Sequence, residues 1–206
     1  MARYKALELT AEIAQERLKG LDEAVTCALH GRPVILGLDI STSITGYSCV
    51  DTNGDITEFR AGVNLTMFKD LWKKSDIMRS ALQDLKLALG KKGCSVEKIV
   101  IEEPVIGFRP GKSSARTIAR LVMFNGMVSL IAREIFGLDP MHIISSSARS
   151  KAGIKIKKGE RAKAQVLRWV GEKFSIVWPL TKTGKPKPWC EDVADATVLA
   201  IAGTKI

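Results

Sequence analysis

Four carboxylates stand where predicted strands or helices begin or end. Asp39 ends the first apolar strand, and Glu102 ends a later short apolar strand. Asp192 and Asp195 lie three residues apart at the start of the last predicted helix, so both point to one face of its first turn. Mg²⁺ prefers oxygen ligands and keeps water molecules that can attack phosphorus. Converging carboxylates of this kind therefore suit metal-dependent cleavage of a phosphodiester.

Each of these acids also has an ordinary structural interpretation. Asp39 suits a turn, Glu102 suits a surface position before Pro104, and Asp192 suits a helix N-cap with Asp195 at the following N3 position. The final helix is otherwise apolar, however, and Asp195 is expected near its buried face. Because a buried carboxylate requires a partner or a metal, the four acids together favour a metal site.

The elements that must position these acids alternate between strands and helices. A leader with apolar residues at helical spacing precedes Gly31 and Pro33, which end it. Asn53-Gly54 predicts a tight hairpin between the second and third strands. The predicted strands cover 34–38, 44–50, 56–63, 99–101 and 141–144, and the predicted helices cover 68–89, 114–136, 160–173, 192–202 and a short segment from 145. This order predicts an α/β domain with a mixed sheet.

The length of 206 residues, with 46% hydrophobic and 26% charged residues, is typical of one folded domain, either alone or with an appendage. We expect a helical N-terminal extension over 1–32 and a single domain over 33–206. The longest charge-free apolar run, Leu121 to Ala132, is shorter than the roughly 18 residues that a membrane span requires. We therefore expect no membrane partner.

The positive charge is concentrated in one segment. The net charge is +10, and residues 149–189 contain 12 Lys or Arg but only two acids, Glu160 and Glu172. The remaining chain is neutral, with 32 − 12 = 20 basic and 22 − 2 = 20 acidic residues. A solvated lysine-rich surface is the ordinary explanation of such a run. A basic patch in an otherwise neutral domain favours a polyanionic partner.

The four cysteines, Cys27, Cys49, Cys94 and Cys190, show no paired spacing, so neither a zinc site nor a disulfide framework is indicated. The N-terminus has no apolar signal core, and its acids argue against a transit peptide. We expect a cytoplasmic or nucleoid-associated protein, with an organellar or viral-host compartment left open.

Four segments resemble, in order, the motifs of RuvC-type Holliday junction resolvases. The first is the most specific, because Asp39 is followed by a short turn and then by Thr45-Gly46-Tyr47. The others are Ile101-Glu102, the serine-rich and basic stretch from Ser145 to the Lys163-Ala164-Gln165-Val166 run, and Asp192-Val193-Ala194-Asp195-Ala196. The resemblance covers about residues 34–202.

The resemblance implies a ribonuclease H-like fold, in which a mixed five-stranded sheet is flanked by helices. It also implies a homodimer that cuts two opposed strands of a four-way DNA junction. Asp39, Glu102, Asp192 and Asp195 match the metal ligands, and Lys163 matches a lysine expected near the scissile phosphate. Two Mg²⁺ ions per site, or Mn²⁺ in their place, would direct in-line hydrolysis to a 5′-phosphate and a 3′-hydroxyl.

The candidate DNA-binding residues lie in the loop after Glu102, at the start of the following helix and in the basic segment. They are Phe108, Arg109, Lys112, Arg116, Arg149, Lys151, Lys155, Lys157, Lys158 and Arg161. Phe108 is equally suited to wedging bases apart and to folding back on the core.

Helix 114–136 corresponds to the family's dimer helix, although core packing is the better explanation of its apolar face. The candidate dimer contacts are Ile118, Leu121, Val122, Asn125, Gly126 and Ser129. The leader 1–32 has no counterpart in the bacterial resolvases. It suits a dimer contact, a DNA contact or simple packing.

Three other functions share some of these features. An actin-like ATPase fragment matches Gly37-Leu38-Asp39 followed by Ser41-Thr42-Ser43, but those proteins pair two such domains and this chain has room for one. A ribonuclease H that digests RNA-DNA hybrids shares the layout of four acids. A binding module without catalysis would use the basic segment alone.

Overall fold

The computed structural model describes residues 29–104, 114–157 and 159–206. The strands are β1 (Pro33–Asp39), β2 (Ile44–Asp51), β3 (Thr57–Asn64), β4 (Ser95–Glu102) and β5 (Met141–Ile143). The helices are α1 (Leu71–Lys91), α2 (Ala115–Phe136), α3 (Ser145–Lys151), α4 (Ala162–Lys173) and α5 (Trp189–Gly203).

The five strands form one mixed sheet in the order β3-β2-β1-β4-β5. The pairs β1–β2 and β2–β3 are antiparallel, whereas β1–β4 and β4–β5 are parallel. Helices cover both faces, so the predicted α/β architecture with a mixed five-stranded sheet is confirmed. Residues 1–28 of the predicted N-terminal extension lie outside the described residues, and the boundary at residue 32 stays a prediction.

The side chains of β1 alternate between two hydrophobic layers, as the period of a strand requires. Val34, Leu36 and Leu38 pack with α1 and α2 on one face. Ile35 packs on the other face with α3, α4 and α5. Because both faces of β1 are covered, the strand is the centre of the domain, and its carboxyl end fixes the position of Asp39.

Helix α5 lies directly on the sheet because glycines remove the side chains that would separate them. A β-carbon at Gly37 would lie 2.0 Å from the carbonyl oxygen of Ala196, and one at Gly203 would lie 2.7 Å from Cγ2 of Ile35. Eleven of the 15 residues of α5 are buried. At Gly37 the position of α5 relative to β1 is therefore set by contact between backbone and backbone.

Most element boundaries differ from the sequence prediction by one to three residues, and the differences in α5 and β4 bear on the site. Helix α5 begins at Trp189 with Pro188 in the N-cap position, so Asp192 is the fourth helical residue and not an N-cap. Strand β4 begins at Ser95. Its first half alternates exposed and half-buried residues, so the apolar run that predicted it marks only its buried end.

Helix α2 is long and apolar enough to cross a membrane by length and composition alone. The core helix of a folded domain meets the same test. Phe124, Val128, Ile131 and Ala132 of α2 are buried in the layer that covers β1 and β4.

Candidate active site

Asp39 and Glu102 end two neighbouring parallel strands. Leu38 of β1 pairs with Ile101 of β4, so the next residue on each strand lies at the carboxyl edge of the sheet. The two carboxyl groups are close enough for Glu102 to raise the pKa of Asp39. Asp39 is only 7% exposed, whereas Glu102 is half-buried. Carboxyl edges of this kind are where open α/β sheets form ligand crevices.

The turn after Asp39 is closed by hydroxyl groups. Ser41 Oγ accepts hydrogen bonds from the amides of Ser43 (3.2 Å) and Ile44 (3.1 Å) and donates to the Ile44 carbonyl (2.8 Å). Thr45 Oγ1, which is fully buried, donates to the Ser41 carbonyl at 3.0 Å. These bonds satisfy the backbone of the turn without water and hold the end of β1 in place.

Gly46 brings the first turns of α5 onto β2. It pairs with Asp39 across the β1–β2 ladder. A β-carbon at Gly46 would lie 2.2 Å from the carbonyl oxygen of Asp192. This contact places Asp192 and Asp195 above the ends of β1 and β4, where 18% and 15% of their side-chain surfaces remain exposed.

Lys163 of α4 joins these carboxylates. Its Nζ lies 3.1 Å from Oδ1 of Asp192 and 3.4 Å from Oδ2 of Asp195. Burial lowers the pKa of Lys163, but the charges of Asp195, Asp39 and Asp192 raise it more, so the ammonium group keeps its proton. Its side chain is 45% exposed, so the ammonium group is accessible from solvent.

The carboxyl groups lie close together, and the positive charge beside them does not fully compensate their negative charges. Burial, together with the charge of Glu102, raises the pKa of Asp39 well above its usual value. Burial raises the pKa of Asp195 to about 6, despite the opposing charges of Lys163 and Arg149. Burial also raises the pKa of Asp192. Each shift reports that the charged form is poorly compensated.

This donor set fits a divalent cation. Four oxygen-donor carboxylates adjoin one crevice. Additional positive charge there would offset the free-energy cost of burying their charged forms. As they stand, no three carboxylate, imidazole or thiolate groups among the described residues are arranged to ligate one ion, and Lys163 supplies the positive charge between Asp192 and Asp195. A bound cation would therefore share these carboxylates with Lys163.

Two residues that the sequence did not single out as site residues hold Glu102. Ser145 Oγ, at the start of α3, donates a hydrogen bond to the Glu102 carboxylate. Asn125 Nδ2 donates to the Glu102 carbonyl at 3.0 Å. Asn125 is 4% exposed, so its assignment as a dimer contact is wrong. The sequence signal for the contact of Asn125 with Glu102 is a polar residue on the apolar face of α2.

The side chain of Glu103 is exposed, so it does not share the position of Glu102.

The predicted DNA-binding residues fall into three groups. Phe108, Arg109, Lys112 and Lys158 lie outside the described residues. Arg149 is half-buried beside Asp195. The remaining five are exposed: Arg116, Lys151, Lys155, Lys157 and Arg161.

The basic segment contains a surface pocket of about 440 Å³ beside α3. Arg149 and Lys155 contribute to its wall together with Ser146 and Ser150. The rest of the wall is apolar, so these hydroxyl and cationic groups suit an anion such as a backbone phosphate at one part of the cavity only. Arg161 lies outside this set and forms a salt bridge of 3.7 Å with Glu191.

The chain has the fold of known junction resolvases. RuvC of T. thermophilus in complex with a Holliday junction substrate is 16% identical, with 83% of this chain and 92% of that chain covered and a TM-score of 0.56. The yeast mitochondrial Holliday junction resolvase Ydc2 is 16% identical, with 83% and 77% covered and a TM-score of 0.52. No profile of a known protein family matches the sequence. No curated protein sequence matches it either. At this identity the likeness shows the fold.

Proposed function

We propose that this chain, whose fold is that of RuvC-type Holliday junction resolvases, is a metal-dependent endonuclease that resolves four-way DNA junctions. The observation that carries the proposal is the meeting of Asp39, Glu102, Asp192 and Asp195 with Lys163 in one crevice at the carboxyl edge of the sheet. These acids come from three different elements, and ordinary caps and turns would leave them apart.

Asp39, Glu102, Asp192 and Asp195 would hold two Mg²⁺ ions, or Mn²⁺ in their place. When bound, such ions activate a water molecule and stabilise the leaving oxygen, which yields a 5′-phosphate and a 3′-hydroxyl. The buried Asp39 is fixed by the turn that Ser41 and Thr45 close. Glu102 is oriented by Ser145.

Lys163 is proposed to act on the scissile phosphate. Its ammonium group is charged, half exposed and already inside the crevice. Carboxylates that bind metal ions have less negative charge to offer Lys163, so the ammonium becomes available to a phosphate oxygen. A positioned cation at this point stabilises the charge that develops on the phosphoryl oxygens.

The second half of the proposal is a homodimer, because two opposed strands of a junction require two sites. Helix α2 exposes apolar side chains on the face that is turned away from the sheet. Val122 is 37%, Met123 60% and Leu130 53% exposed, and in the segment that follows α2, Met141 and Ile144 are exposed as well. An apolar face of this kind suits the self-complementary interface of a twofold dimer.

The test is cleavage of a labelled four-way junction with and without Mg²⁺, with the cut sites and end groups mapped. We expect paired, Mg²⁺-dependent cuts that Asp39→Asn abolishes while junction binding in EDTA is retained. Asp139→Asn is the matched control, because Asp139 is exposed and lies in a salt bridge with Arg133 away from the crevice. Preferential digestion of an RNA-DNA hybrid, or junction binding without cutting, would contradict the proposal.

A further inference from the structure

A second cluster of cations lies beside the turn that follows Asp39. Lys74 of α1 is buried, and its Nζ donates a hydrogen bond to the carbonyl of Thr42 within that turn. Arg120 of α2 donates from Nη2 to the carbonyl of Lys69 at 2.7 Å. The starts of α1 and α2 are thereby joined to each other and to the β1–β2 turn. We call this surface the α1–α2 rim, and it comprises Lys69, Trp72, Lys73, Lys74, Arg116 and Arg120.

The five cations of the rim have no acidic partners in the part of the chain that the structure describes: none of them forms a salt bridge there. The adjacent carboxylate of Asp70 is used to cap α1 and accepts the amide of Trp72 at 3.1 Å. Burial, together with the charge of Arg120, lowers the pKa of Lys74. Lys74 and Arg120 therefore repel each other, and an anion placed beside them would be stabilised.

An aromatic side chain stands among these cations. Trp72, the second residue of α1, is 71% exposed, and Met67 just before the helix is 85% exposed. Lys73, its neighbour in sequence, is exposed as well. Cations interleaved with an exposed aromatic ring are the composition of surfaces that bind unpaired nucleotides, because phosphates pair with the cations while bases stack on the ring.

The position of the rim fits the same polyanion as the basic segment 149–189. Helices α1 and α2 cover one face of the sheet, whereas α3, α4 and α5 cover the other. Lys74 of the rim contacts the turn that follows Asp39, and Arg149 of the basic segment lies beside Asp195, so each cationic surface adjoins the crevice. A strand that crosses the crevice would therefore meet the basic segment on one side and the rim on the other.

We propose that the α1–α2 rim binds the DNA strand next to the scissile phosphate, with Trp72 stacked on a nucleotide that is unpaired or unstacked at the crossover. The inference rests on the proposed function for the identity of the nucleic acid. The rim itself selects single-stranded character, because an indole stacks on an exposed base and not on a continuous duplex. Lys69 and Lys73 contact the backbone phosphates on either side.

The test compares binding of the full-length protein in EDTA, where no cleavage competes, to a labelled four-way junction and to a duplex. Trp72→Ala is expected to weaken junction binding by about fivefold or more and duplex binding much less. Leu87→Ala is the matched control, since Leu87 is 66% exposed later on the same helix. Lys69→Gln/Lys73→Gln is expected to lower the slope of log affinity against log salt by about 1 to 2. Lys91→Gln controls for the charge.

Three outcomes would contradict the proposal that the rim binds DNA. One is unchanged junction affinity and salt slope in both rim variants. Another is a change of oligomeric state in Trp72→Ala, which would make the rim an interface between copies. The third is that Trp72 emission, obtained as the difference between wild type and Trp72→Phe, resists acrylamide in the free protein, because another part of the chain then covers the ring. If the rim variants weaken junction binding but the wild-type protein does not cut junctions, the binding role of the rim stands and the proposed function is refuted.

Discussion

Gly46 of β2 and Asp192 of α5 are in backbone contact. A β-carbon at Gly46 would lie 2.2 Å from the carbonyl oxygen of Asp192 and 2.8 Å from the amide nitrogen of Val193. The neighbours are backbone atoms, which cannot rotate away as the end of a flexible side chain can. The glycine of the Thr45-Gly46-Tyr47 motif is therefore the residue that allows the two acids of α5 to reach the ends of β1 and β4.

Gly46→Ala is expected to push the start of α5 away from the sheet. Overpacking at a fixed backbone contact destabilises by about 1 to 3 kcal/mol. Displacing Asp192 by about 1 Å is expected to slow junction cleavage about 100-fold. Urea unfolding and single-turnover cleavage measure the two effects. Gly90→Ala is the control, because a β-carbon at Gly90 would have no neighbour within 4 Å. Wild-type cleavage by Gly46→Ala would contradict this role of the glycine.

Asp195→Asn is expected to stabilise the metal-free protein at neutral pH while it abolishes cleavage. The folded pKa of Asp195 is about 6, above the usual 3.8, so the protonated carboxyl favours folding. That contribution is fully present below about pH 4 and is lost as the pH rises through about 6. The advantage of Asp195→Asn over wild type therefore grows between pH 4 and 6 and levels off above it, at about 1 to 3 kcal/mol.

Chemical denaturation in EDTA across this pH range measures the difference. The matched variant is Asp139→Asn, whose carboxylate is 84% exposed, and it is expected to change stability by less than about 0.5 kcal/mol. A stability difference that shrinks between pH 4 and 6 would show that the charged form of Asp195 is favoured in the fold.

Lys163→Met is expected to lower the cleavage rate by about 100-fold or more at saturating DNA, with little change in junction affinity. The methylene stem is kept, but the ammonium between Asp192 and Asp195 is lost. Single-turnover rates and binding in EDTA separate the two quantities. Lys91→Met, at the far end of α1, controls for a general loss of charge. An equal loss of affinity and rate would assign Lys163 to binding alone.

The basic segment is expected to supply most of the salt-dependent binding. Changing Lys155, Lys157 and Lys158 to Gln should lower the slope of log affinity against log salt by about 2 to 3, because each lost phosphate contact releases about one counterion fewer. Titrations of the junction between 50 and 200 mM salt, roughly the range over which such slopes are resolved, provide the measurement. Lys91→Gln/Lys92→Gln is the control. A slope equal to that of wild type would show that these lysines are only a solvated surface.

The four candidate acids and the elements that carry them can be predicted from the sequence alone. Asp39 and Glu102 follow apolar runs that predict strands, and Thr45-Gly46-Tyr47 comes after the short turn that follows Asp39. Strand ends are local signals, because they depend on the alternation and composition of a few consecutive residues. The mixed sheet follows from the order of such segments, and the structure confirms it.

Which side chains meet at the site depends on how the helices pack against the sheet. Asn125 and Ser145 support Glu102 from helices that follow it in the chain, and Lys163 reaches Asp192 and Asp195 from a different helix. The α1–α2 rim joins cations from two helix starts, neither of which forms a charge run by itself. Such contacts depend on how helices pack against a twisted sheet, and backbone approaches such as that of Gly46 to Asp192 fix that packing. No pattern within one segment of the sequence contains this information.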